Sequence, residues 1–128
     1  MQEIQKIYTA KDVVWLSICS SAPGKQGSFS ADEWVRRIKE VGSKATAVLL
    51  DQDGKVGRAY GASNTPHIFV IGPDGSLAYQ GSVDDKRSAN PKDVEGAHNY
   101  FVEALDALLV EDLVPDPKKK PYGCSVKY

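Results

Sequence analysis

A cysteine does redox chemistry only where its thiolate is favoured, by a neighbouring cation or by the amino end of a helix, and this chain offers two sulfurs for that role. Cys19 follows an apolar run at residues 13–18, and Cys124 lies near the carboxyl end in Gly123-Cys-Ser-Val-Lys-Tyr. Cys19 reads either as a displaced redox thiol or as a small hydrophobe, and the habit of free cysteine to be buried favours the second. Cys124 reads either as a resolving or intermolecular disulfide partner or as an incidental thiol of a flexible terminus. Their separation resembles neither a disulfide framework nor a zinc site, which needs ligand pairs at short spacing. His67 and His98 have no carboxylate or cysteine at ligand spacing and read as surface residues of a strand and a helix. Asp51 and Asp53 suggest a calcium loop, but Gly54 comes two positions early and no glutamate closes the twelve-residue pattern, so the segment reads as a strand-to-helix turn. Gly54, Gly57 and Gly61 have the wrong spacing for a dinucleotide fingerprint, and Gly24-Lys25 is followed by Gln26 where a phosphate loop needs Ser or Thr. No metal or other cofactor is expected.

The elements that must position these groups follow from periodicity. Ile4, Ile7 and Tyr8 form one apolar stripe on a helix over residues 1–11 that lacks an N-terminal cap. Residues 13–18 are nearly all apolar, as in a central strand covered on both faces. A loop with Pro23, Gly24 and Gly27 then leads to Ser30 and Glu33, the capping box of a helix that buries Trp34, Val35, Ile38 and Val41 and stops at Gly42. Residues 46–50 read as a second buried strand, followed by the 51–54 turn and a short helical segment ending near Tyr60 and Gly61. Residues 67–71 and 77–82 form a hairpin through Pro73, Asp74 and Gly75. Asn90 caps a last helix with Pro91 at its first position, and Val94, Ala97, Phe101, Leu105 and Leu108 share one face of it to about Leu109. Residues 1–112 make one domain, and 113–128 a tail in which Lys118, Lys119 and Lys120 lie among Pro115, Pro117 and Pro121 as a solvated linker. The order α, β, α, β, short α, hairpin, α predicts an α/β fold with helices on both faces of a mixed sheet.

With 128 residues, 41% of them hydrophobic and 26% charged, the chain has the composition of an ordinary globular domain. Sixteen basic residues against 17 acidic ones leave a net charge of -1, which gives no general attraction for nucleic acid or anionic lipid. The first residues contain no apolar core of a secretory signal and no stretch reaches membrane-spanning length, so as written the chain reads as cytoplasmic.

The segments Asp51-Gln-Asp-Gly-Lys-Val-Gly-Arg-Ala-Tyr-Gly and Asn64-Thr-Pro-His-Ile-Phe-Val-Ile-Gly-Pro-Asp-Gly resemble the second half of the redoxin family. This is the thioredoxin-like branch that contains alkyl hydroperoxide reductase and thiol-specific antioxidant proteins. Residues 13–21, 22–27 and 121–128 are similar to one bacterial subgroup of it, whose longer members often appear exported, and the resemblance spans essentially the whole chain. It implies a Thr65-Pro66 bond that is cis and faces the reactive cysteine, Thr65 and Pro66 shaping the edge on which an extended thiol substrate binds; by itself an X-Pro bond is cis only about once in twenty. It also implies an N-terminal hairpin, a strand and a Cys-Pro-Phe-Val type turn ahead of the helix whose end is residues 1–11. No such motif occurs in this sequence, which reads either as a natural truncation or as a chain begun at an internal methionine.

By the same resemblance the sheet runs 46–50 strand, 13–18 strand, a strand that is not here, then the hairpin. An empty central position leaves backbone donors and acceptors along two edges, each unpaired buried group costing about 1–3 kcal/mol. Three repairs are expected as alternatives: direct antiparallel pairing of the two flanking strands, insertion of the Cys124 tail, or a homodimer that shares strands. Two functions follow. One is a thiol-disulfide oxidoreductase or peroxidase-like antioxidant acting on a thiol or disulfide protein through Cys19 and Cys124, weakly or not at all for want of the usual motif. The other is a redox-dead binding or structural module.

Overall fold

The computed structural model describes residues 1–88 and 90–128. The elements are helix α1 (Gln2–Thr9), strand β1 (Leu16–Cys19), α2 (Ala31–Glu40), β2 (Ala47–Leu50), α3 (Lys55–Ala59), β3 (Asn64–Thr65), β4 (Ile68–Ile71), β5 (Leu77–Gly81), α4 (Tyr100–Leu109) and β6 (Cys124–Ser125). They fall into two compact units, residues 1–62 with 126–128, and residues 63–125. Among the described residues no helix is long and apolar enough to cross a membrane.

In the first unit β1 and β2 pair in parallel, Leu16 opposite Ala47 through Cys19 opposite Leu50. Helix α1 has no side-chain cap and buries Tyr8 and Gln5, while Ile7 stays exposed, so the apolar stripe is narrower than its spacing suggests. The Gln5 carboxamide oxygen accepts from Lys44 N–H at 2.9 Å and from the Ser43 hydroxyl at 3.4 Å, tying the helix to the turn that opens β2. Helix α2 starts on the expected capping box: the Ser30 hydroxyl accepts from Glu33 N–H, and the Glu33 carboxylate accepts from Ser30 N–H. It ends on a Schellman motif, with Gly42 at φ +64° and the Ser43 and Gly42 N–H groups donating to the carbonyls of Ile38 and Lys39.

Two expectations for this unit are corrected. Strand β1 is not covered on both faces. Ser17 and Val48 line a groove with α2 side chains, whereas Leu16 and Ile18, one step off in the pleat, are 49% and 44% exposed, as are Leu49 and Leu50 of β2 to a similar degree. Helix α2 likewise leaves Val35 and Val41 exposed, because only its Trp34 and Ile38 side turns inward.

In the second unit β4 and β5 form the predicted hairpin, with Ile68 opposite Gly81 and a register shift between Val70 and Ile71. The turn closes through Gly72 N–H to the Ser76 carbonyl, and the Asp74 carboxylate accepts from Ser76 N–H and its hydroxyl. Tyr79, Val70, Phe101, Ala104 and Leu105 are the buried apolar side chains, and the Tyr79 hydroxyl donates to the Ser82 carbonyl at 2.6 Å.

The last helix is shorter than its apolar periodicity predicts. Asn90 does cap a turn, but only of 3-10 type over Pro91–Val94; Gly96 then takes φ +81° and Asn99 caps α4 afresh by accepting from Val102 N–H. Val94 is therefore exposed instead of sharing the α4 face.

The segment read as a solvated linker is held in place. Gln80 N–H donates to the Pro117 carbonyl, and Lys119 N–H donates to the Gln80 carbonyl, so residues 117–119 cover the outer edge of β5. The Lys119 ammonium pairs with Asp116 at 2.8 Å and lies over the Tyr100 ring. Further on, β6 pairs antiparallel with β3. Of the repairs expected for a missing central strand, neither intrachain one occurs among the described residues. β1 pairs with β2 alone, β4 with β5 alone, and the Cys124 segment pairs with residues 64–65 instead of entering between the flanking strands. That ladder is two residues long.

Candidate functional site

Three of the four residues singled out for chemistry are brought together by the β3–β6 pair. Cys124 stands directly opposite Thr65, and the Thr65–Pro66 bond that leads on to β4 is cis. Thr65, Pro66 and Cys124 are all exposed. The pairing depends on Gly123: it holds φ +115°, and a Cβ there would run into the Thr65 carbonyl. The Asn64 carboxamide donates to the Gly123 carbonyl at 3.1 Å and completes the clasp.

Cys19 belongs to the first unit and is half-buried at the end of β1. Its Sγ donates to the Gly27 carbonyl at 3.3 Å, a bond only the protonated thiol can make. Neither sulfur lies at the amino end of a helix. The four α-helices of the described residues begin at Gln2, Ala31, Lys55 and Tyr100.

Around Cys19 the strongest polar feature is Asp51, which the 51–54 turn delivers to the start of α3. Its carboxylate is buried and accepts from the Ser20 hydroxyl at 2.7 Å, from Gly57 N–H at 2.8 Å and from Val56 N–H at 3.1 Å. Burial raises its pKa, but the Ser20 hydroxyl and the Gly57 and Val56 amides outweigh that and hold the carboxyl below the usual aspartate value. The chain end packs on the same turn: Arg58 stacks on the Tyr128 ring, whose hydroxyl donates to the Ala62 carbonyl at 2.7 Å.

The histidines have structural partners. His67 stacks on Phe69 and accepts from Ser63 N–H, and burial pulls its pKa down. His98 does have a carboxylate within reach, contrary to its spacing: it precedes α4 instead of lying on it, so its Nε2 meets Glu103 at 2.9 Å.

Sequence reasoning missed the β3–β6 clasp and a second polar contact in the same unit, the Tyr122 hydroxyl donating to the Asp84 carboxylate. Burial and the Asp84 charge push Tyr122 up to about 12. The signal for the clasp was Gly123 beside Cys124, a residue type that permits two backbones to touch; nothing in the local pattern marked Tyr122.

No family model matches the chain, and no curated protein matches it. Among solved structures it is similar to an uncharacterized conserved protein from Geobacillus kaustophilus, at 27% identity and a TM-score of 0.82 over 99% of this chain and 66% of that one. It is also similar to the hypothetical protein SMc02350 from Sinorhizobium meliloti 1021, at 27% identity and a TM-score of 0.86 over 99% of this chain and 68% of that one. The chain thus spans about two thirds of the length of each. The class defined by the fold is a mixed α/β protein with short sheets and flanking helices.

Proposed function

We propose that the chain is a thioredoxin-like domain of the redoxin kind that carries the substrate-facing edge of that fold and has, with its own two thiols, at most weak thiol-disulfide or peroxide turnover. The observation that carries this reading is where the sulfurs sit: Cys19 donates to a backbone carbonyl, Cys124 lies on an exposed two-residue strand, and no α-helix of the described residues starts at either. Both positions lack the aligned N–H groups that stabilise a thiolate. The redoxin reading itself is supported by the order of elements, with a parallel β1–β2 pair and a proline-led antiparallel hairpin.

Insulin-disulfide reduction tests it. The expected result is reduction no faster than an equal concentration of free cysteine. Turnover well above that level, abolished by Cys19→Ser or Cys124→Ser, would make the chain an active oxidoreductase and overturn the reading.

A second reading, a binding module that pairs with another copy of itself, is favoured by the apolar and open face of β1, where Leu16 and Ile18 are about half exposed. Light scattering on a sizing column is expected to show a mass that rises toward the dimer with concentration. A clean monomer at the highest concentration removes this reading.

A further inference from the structure

Strand β3 has one hydrogen-bonded neighbour among the described residues, β6, in the register Asn64 opposite Ser125 and Thr65 opposite Cys124. The two backbones approach so closely that a Cβ at Gly123 would strike the Thr65 carbonyl, which leaves no room for a further segment between them. Any other extended segment that pairs with this edge of β3 must first displace residues 123–125.

Those three residues are all exposed, so no buried side chain holds them down. The contacts that fix the segment lie on either side of it. Before it, the Tyr122 hydroxyl donates to the Asp84 carboxylate. After it, Ala22 N–H donates to the Lys127 carbonyl at 2.8 Å, and the Tyr128 ring lies against Gly54 and Gly57, where a Cβ would take its space. A two-residue ladder between two anchors is a strap: the anchors keep it at high effective concentration over β3, while the ladder itself is short enough to open locally.

We propose that residues 122–128 are an autoinhibitory strap, occupying in cis the edge of β3 on which an extended polypeptide adds as a strand once the strap has lifted. This rests on the reading of β3 as the substrate-facing edge. Strand addition takes its affinity from main-chain hydrogen bonds and its selectivity from what the added residues meet. Here they meet the Thr65 carbonyl, so a partner following the same path needs a glycine just before the residue opposite Thr65. The Asn64 carboxamide, which donates to the Gly123 carbonyl at 3.1 Å, is then left to donate to the partner's backbone. Because strap and partner cannot sit on β3 together, the partner's apparent affinity is lowered by the fraction of chains whose strap is down.

The probe is the acetylated and amidated peptide Pro-Tyr-Gly-Ser-Ser-Val-Lys, which repeats residues 121–127 with serine for the cysteine. It is added to the full ¹⁵N-labelled chain and followed through the Asn64 and Thr65 amide signals. Gly123→Val drives a side chain against the Thr65 carbonyl and lifts the strap while leaving β3 unaltered; Tyr128→Ala loosens the far anchor and changes neither strand. The peptide is expected to shift both signals saturably in the Gly123→Val chain and to bind it at least about tenfold more tightly than the unaltered chain, with Tyr128→Ala between the two. A peptide with valine in place of its glycine is expected to bind about tenfold more weakly. Equal affinity for the unaltered chain and both variants, no saturable shift at Asn64 and Thr65, or equal binding of the valine peptide would overturn the proposal, and Tyr128→Ala decides it if Gly123→Val misfolds. The peptide carries no sulfur, so its failure to compete strikes the strap and leaves the thiol reading standing, whereas fast insulin reduction strikes the thiol reading and leaves the strap.

Discussion

Asp51 is the residue whose chemistry the fold exploits most fully, although its use is structural. Three donors converge on a buried carboxylate that joins the end of β1 to the start of α3. Because its folded pKa lies below the ordinary aspartate value of about 3.9, this contribution is whole above that value and is lost as pH falls toward the folded pKa. Asp51→Ala leaves three donors without an acceptor and is expected to lower stability at neutral pH by about 2–3 kcal/mol. In urea unfolding the difference from the unaltered chain should shrink between pH 5 and pH 3; a difference constant across that range would mean the carboxylate is not what holds the turn. The reading of residues 51–54 as a strand-to-helix turn agrees with this geometry, in which Asp51 accepts from the first-turn amides of α3. Cys19 and Cys124 were visible as candidates by type alone. Their surroundings were not, because the Gly27 carbonyl and the Thr65 strand come from backbone placed by tertiary structure.

At the scale of elements, local signals succeeded where one short-range device decides the outcome. The Ser30–Glu33 box starts α2 where it was read, and the Pro73-Asp74-Gly75 turn closes the hairpin. Ser30→Ala removes the hydroxyl that accepts from Glu33 N–H and is expected to cost about 1 kcal/mol by chemical denaturation, whereas Ser30→Asp, which still caps, should cost far less. Equal losses for both would show that the cap contributes little. The periodic reading failed where a device interrupts the period. Val94, Ala97 and Phe101 are spaced as one helical face, yet Gly96 in the left-handed region and a second cap at Asn99 split the segment. The β3–β6 ladder was illegible for a different reason: two residues on each side carry no alternation, and only the close approach at Gly123 specifies them. The Pro- and Lys-rich stretch is held by β5 through backbone hydrogen bonds, which composition does not encode.

On the scale of the whole molecule, the sequence pattern was sufficient for the α/β class and for most elements, but among the described residues each sheet is only two strands wide. The half-exposed apolar residues of β1 and β2 follow from that, and they are the surface on which self-association is expected. Neither thiol stands at the first residue of an α-helix among the described residues. The most direct measurement is therefore the rate at which the purified, reduced chain consumes hydrogen peroxide, read against free cysteine at equal thiol concentration. The account predicts a rate no faster than the free amino acid and little altered by replacing either Cys19 or Cys124 with serine. Consumption far above that rate, lost with one of the two sulfurs, would contradict it.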